Sequence, residues 1–127
     1  MIFLKKVKSL LYKFFVKIKQ KSYKTNGKKI KYLFFKNNNS KKLIICFSAF
    51  PGEGNGSSKY NYIKTLSWVN ASRLYILDDF GYENVGTYYL GENGILNLDK
   101  CVINLIDYIS NKYKFNKFIT LGSSKGG

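Results

Sequence analysis

An α/β fold is expected of this chain: a mainly parallel sheet with flanking helices, preceded by an amphipathic N-terminal helix. Three observations carry that expectation. Strand-like runs alternate with helix-periodic segments over most of the sequence, the pattern of βαβ units. The run Leu43-Ile44-Ile45-Cys46-Phe47 is apolar without alternation, as in a strand covered on both faces. The run 115–121 leads directly into Gly122-Ser123-Ser124-Lys125-Gly126, a strand followed by a tight glycine-rich turn.

Residues 2–20 place Phe3, Leu4, Val7, Leu10, Leu11, Phe14, Phe15 and Ile18 at helical spacing, with lysines over most of the remaining surface. Two readings of that helix stand: it docks its apolar stripe on the protein body, or it lies on an anionic membrane surface. Residues 22–29 are polar, contain Gly27 and read as a linker. Segments 31–36 and 42–48 are strand-like, and the Asn37-Asn38-Asn39-Ser40 cluster between them predicts a hairpin. A loop at 50–56 precedes a helix at 58–69, a short strand at 74–77 and a long Gly- and Tyr-rich loop at 78–94. Residues 98–113 form the second clear helix, with Asn97 as N-cap and Val102, Leu105, Ile106 and Ile109 as its buried stripe. Residues 117–121 close the series as the strand entering the terminal turn. In a parallel sheet ligands bind at the carboxyl ends of strands, and the loops at 48–56, 78–94 and 122–127 all lie at such ends.

Composition bounds the function. With 127 residues, 45% of them hydrophobic, the chain is long enough for a core and too apolar for a disordered tail. The net charge of +15 comes almost wholly from lysine; Arg73 is the only arginine. Bidentate reading of bases and phosphates favours arginine, so nucleic acid is not the expected partner, and solvated surface charge or a basic face toward an anionic surface remain. Cys46 and Cys101 lack CxxC spacing and histidine is absent. Buried free thiols in a reducing compartment follow, and no metal site is expected. No run of 18 apolar residues exists and no signal-peptide pattern begins the chain, so a cytoplasmic location, with peripheral contact at the inner membrane face, is expected.

The chemistry concentrates in the three loops. Residues 122–126 read G-x-S-x-G after a strand, the setting of a nucleophile elbow that lifts a serine hydroxyl out of the sheet. Ser124 is the candidate nucleophile, and the backbone N–H of Lys125 is the first oxyanion donor. The second donor belongs to the loop after the 42–48 strand, where Phe50 is the candidate. Gly52, Gly54 and Gly56 in that loop fit neither G-x-G-x-x-G nor a Walker pattern. Asp78 and Asp79 end the next strand and read as an acid/base pair or a metal site, or as loop caps that accept backbone N–H bonds. Asp79, Tyr82, Tyr88 and Tyr89 are candidates to line a substrate cleft, with packing as the alternative role of the tyrosines.

Together these pieces resemble the α/β-hydrolase fold over roughly residues 28–127. Ser48-Ala49-Phe50-Pro51-Gly52 is similar to that family's H-G-F-P-G oxyanion loop, with serine and alanine replacing histidine and glycine. Asp79-Phe80-Gly81-Tyr82 is similar to its D-x-x-G-x-G segment, without the second glycine, and residues 122–126 to its elbow. Within the fold, residues 77–81, 86–91 and 122–127 resemble proteins of capsular polysaccharide biosynthesis and of accessory Sec systems in Gram-positive bacteria. The resemblance implies a serine-dependent acyltransferase or esterase acting on surface glycans, with an acyl donor, a glycan or glycoprotein acceptor and no resident cofactor. It also implies an acidic residue and a histidine downstream of the elbow. The expected organisation is a basic amphipathic helix at 1–21 and, at 28–127, the N-terminal part of a hydrolase-like domain, inactive by itself. A basic membrane- or polymer-binding module without catalysis is the alternative.

Overall fold

A computed structural model describes residues 2–48, 59–78 and 98–122. Helix α1 (Ile2–Lys19) leads into strands β1 (Lys21–Thr25), β2 (Lys28–Phe35), β3 (Lys42–Phe47) and β4 (Ser72–Leu77), followed by α2 (Leu98–Tyr113) and β5 (Lys117–Leu121). The strands form one sheet in the order β1-β2-β4-β3-β5. This is an α/β arrangement, but the sheet is mixed rather than mainly parallel. The β1–β2 and β2–β4 pairings are antiparallel, and the β3–β4 and β3–β5 pairings are parallel. The cause is β2, which runs against both of its neighbours.

The expected linker at 22–29 is instead β1, a two-residue turn and the start of β2. Asn26 (φ 51°) and Gly27 (φ 74°) both take positive φ, which twists the turn to match the flanking strands. Lysine-rich composition hid the strand, but the Asn-Gly pair was a hairpin signal. The expected hairpin between 31–36 and 42–48 is absent, because β4 lies between β2 and β3. The connection after β2 is fastened to the start of β4 instead. Asn37 donates its N–H to Ser72 Oγ (2.8 Å) and its Nδ2 to Asn70 Oδ1 (3.0 Å), which carries the chain past one strand.

The expected helix at 58–69 is replaced, among the described residues, by irregular turns at 62–70. Tyr62 has φ 67°, outside the right-handed helical region. Two side chains of β4 also donate to carbonyls of this segment. Tyr75 Oη donates to Tyr62 O (3.3 Å), and Arg73 Nη1 donates to Ile63 O (3.3 Å). The Arg73 guanidinium also stacks 4.7 Å from the Phe35 ring centroid, so the lone arginine serves the fold.

The core has two layers, one on each face of the sheet. On one, Cys101, Val102, Leu105 and Ile109 of α2 pack on Ile30, Tyr32, Leu43, Ile45, Leu74 and Ile76. Ring stacks of Tyr23 on Tyr108 and Phe34 on Tyr113 extend this layer. On the other, Leu33, Ile44, Cys46, Tyr75 and Leu77 meet Tyr60 and Ala71, with Tyr12, Phe15 and Val16 of α1 packed against them. Four consecutive residues of β3, from Leu43 to Cys46, are therefore buried on alternate faces, as its unbroken apolar run requires. β5 is an edge strand among the described residues, and Phe118 and Ile119 on it are exposed.

Candidate functional site

β4, β3 and β5 run parallel and side by side, so their carboxyl ends share one edge of the sheet. Residues 78, 48 and 122 leave those ends, with β3 in the middle. In register, Phe47 faces Ile76 and Cys46 faces Leu121. The loop after β3 thus begins about one strand spacing, roughly 4.8 Å, from the start of the 122–127 turn. The three segments that carry the candidate chemistry thus leave from adjacent strand ends.

That edge is anchored by a serine. Ser48 is buried, its N–H donates to Ile76 O (3.1 Å), and its Oγ accepts the N–H of Asp78 (3.0 Å). Asp78 is itself fully buried. The hydroxyl fastens the end of β3 to the end of β4 and fixes where both loops depart. The sequence motif marks Ser48 only as a replacement for histidine; its position at the end of an apolar strand was the signal of this tie. Asp78 enters the edge through its backbone N–H, which donates to Ser48 Oγ.

The other candidate residues lie outside the described residues: Ser124, Lys125, Phe50, Asp79, Tyr82, Tyr88 and Tyr89, and with them the N-cap Asn97. What the structure places is the strand end from which each of their loops leaves or, for Asn97, the start of α2. Gly122, the first glycine of the elbow pattern, directly follows β5 and is half-buried.

The two thiols are core groups. Cys46 and Cys101 are free and buried, and burial pushes the Cys46 thiol up to about 11, far from a neutral-pH nucleophile. Among the described residues no cluster of three or more His, Cys, Asp or Glu side chains gathers to hold a metal. A separate open cleft of about 580 Å³ between β1 and α2 is lined by Tyr23, Asn104, Asp107, Tyr108, Asn111 and Lys112, on the side of the sheet away from β5.

No protein-family model and no curated protein sequence matches the chain. Solved structures do. The capsule O-acetyltransferase of Neisseria meningitidis serogroup A in complex with caged gadolinium superposes with a TM-score of 0.62 at 33% identity, covering 83% of this chain and 42% of that one. A histidine-to-alanine variant of the same enzyme in complex with CoA gives a TM-score of 0.61 at 32% identity, with 84% and 42% covered. A third structure of that enzyme gives 0.62 at 33% identity, with 83% and 41% covered. The chain is thus similar in sequence and fold to a capsule O-acetyltransferase, and it spans about two-fifths of the length of the solved structures it matches.

Proposed function

We propose that this chain is the nucleophile-bearing part of a serine-dependent O-acyltransferase, built on an α/β-hydrolase-type sheet, that acylates a bacterial capsular polysaccharide. The observation that carries the proposal is the similarity to a capsule O-acetyltransferase at 33% identity and a TM-score of 0.62. Support for the hydrolase-type sheet comes from the shared carboxyl edge of β4, β3 and β5. In that fold one oxyanion donor follows the nucleophile and the other sits in the loop after the third strand, and here the β3 and β5 loops begin side by side.

In this reading the acyl donor is a coenzyme A thioester, a choice supported by the CoA complex of the similar enzyme. Ser124 Oγ attacks the thioester carbonyl carbon as its proton passes to a base. The tetrahedral oxyanion accepts hydrogen bonds from the backbone N–H groups of Phe50 and Lys125. The C–S bond breaks, the CoA thiolate takes the proton, and an acyl-Ser124 ester remains. A sugar hydroxyl then attacks that ester, loses its proton to the base, and carries the acyl group away as Ser124 is regenerated. A second ester formed this way conserves the acyl group, whereas water in place of the sugar gives the esterase outcome. Asp79, Tyr82, Tyr88 and Tyr89 are assigned to the acceptor side, where rings stack on sugars. The base is histidine in most such sites, and these 127 residues hold none, so the reading takes it from residues outside them.

The test is to incubate this chain, and the longest open-reading-frame product that contains it, with acetyl-CoA and de-O-acetylated capsular polysaccharide. The expected result is acetyl ester on the polymer with the longer product only, reduced about 10³-fold or more by Ser124→Ala. Transfer that Ser124→Ala leaves intact would contradict the proposal.

A further inference from the structure

Helix α1 has two apolar faces, and the protein body uses one. At about 100° per residue, Tyr12, Phe15 and Val16 share the face that packs on the sheet. That contact is fixed by Tyr12 Oη accepting the Tyr60 N–H (2.9 Å), by the Tyr60 hydroxyl donating to Gln20 Oε1 (2.8 Å), and by the Phe15–Phe35 stack. Phe3, Leu4, Leu10, Leu11, Phe14 and Ile18 fall in an arc of about 120° centred on the order of 140° away from the docked face. Their exposures run from 55% to 78%. Six such side chains on one stripe exceed the scattered apolar residues of an ordinary surface. Val7, Leu10, Leu11, Lys13, Phe14 and Lys17 line an open hollow of about 590 Å³ along it.

We propose that this stripe is a docking surface for an anionic lipid bilayer, with α1 lying in the plane of the membrane surface. Charge decides among the occupants an apolar stripe accepts. Between Ile2 and Lys19 there are six lysines and no acidic residue. Lys6, Lys13 and Lys17 border the stripe on the side away from the body, where their aliphatic stems run along apolar surface and their ammonium groups reach phosphates. A second copy of the chain would bring two such helices, on two bodies of net charge +15, against each other. A hydrated polyanion would satisfy the lysines and leave the phenylalanine and leucine side chains in water. A bilayer with acidic headgroups satisfies both, since apolar side chains enter to about 5–10 Å while lysines stay at the phosphate level. No helix among the described residues is long and apolar enough to cross a membrane, so the contact is with the surface. The proposal does not depend on the acyl-transfer reading, and its test involves no catalysis.

The experiment is co-sedimentation of the chain with phosphatidylcholine vesicles, with and without phosphatidylglycerol, alongside thermal melting and sedimentation in the absence of lipid. Binding is expected to the anionic vesicles and to weaken in high salt. Leu11→Glu with Phe14→Glu is expected to lower affinity about tenfold or more. Lys13→Gln and Lys17→Gln are each expected to lower it about fivefold. Both apolar positions are exposed, so the melting temperature should hold. Vesicle binding unchanged by Leu11→Glu with Phe14→Glu would overturn the proposal. Binding to dextran sulfate but not to vesicles would do so in favour of a polyanion. A concentration-dependent dimer abolished by the same pair would do so in favour of a second copy. Absent vesicle binding together with a large melting loss in the pair would show the stripe covered by this chain itself.

Discussion

Ser48 and Cys46 sit two positions apart on β3 and the residue that ends it, and they show how single side chains set up the candidate edge. Ser48 Oγ accepts a buried backbone N–H at Asp78, and its removal takes that acceptor away. Ser48→Ala is therefore expected to destabilise the chain by about 1–3 kcal/mol, read as a lowered urea midpoint with unchanged slope. A neutral Ser48→Ala would show that this hydrogen bond does not hold the edge. Cys46 has the opposite character: burial raises its thiol from an ordinary 9.0 to about 11, against a smaller lowering by Arg73. Below about pH 9 the thiol is protonated in folded and unfolded chains alike, and its contribution is fully present. Between pH 9 and 11 the unfolded chain releases the proton first, so stability falls as pH rises through that window. Burial also raises Tyr12 and Tyr75, which steepens the alkaline loss. Thermal unfolding from about pH 7 to pH 11 should show a plateau and then this decline; a midpoint that holds steady across that range would contradict it.

At the scale of elements, the turn between β1 and β2 offers a clean test. Gly27 has φ 74°, and a Cβ added there would meet no atom within 4 Å, so the cost of Gly27→Ala is backbone strain alone, about 1–2 kcal/mol. Circular dichroism melting should fall by roughly 4–8 °C, and an unchanged midpoint would mean that the turn relaxes. Elements written in local periodicity were legible. α1 and α2 follow their apolar spacing, and the buried faces of β3 follow its unbroken apolar run. Elements decided by distant partners were not. The 62–70 turns are tied to β4 by Tyr75 and Arg73, which donate to the carbonyls of residues 62 and 63. The place of β4 between β2 and β3 depends on Ser72 and Asn70 holding Asn37. β1 carries two lysines in five residues and becomes a strand through its pairing with β2. Docking of α1 on the sheet engages one face and leaves the stripe of Phe3, Leu4, Leu10, Leu11, Phe14 and Ile18 exposed.

For the whole molecule, the fold gathers what the sequence scattered. Residues 48, 78 and 122 are far apart along the chain and leave adjacent strands at one edge. The strand at 117–121 and the apolar strand that ends before Ser48 were readable because both are local. That their loops begin one strand apart was not, since it follows from the crossover order of the sheet. Everything in the proposed reaction rests on Ser124 carrying the acyl group. The decisive experiment is mass spectrometry of the longest open-reading-frame product after brief incubation with acetyl-CoA, without acceptor. An acetyl group is expected on the peptide that contains Ser124, absent from the Ser124→Ala protein and discharged when capsular polysaccharide is added. No acyl adduct, or one that persists in Ser124→Ala, would refute that assignment.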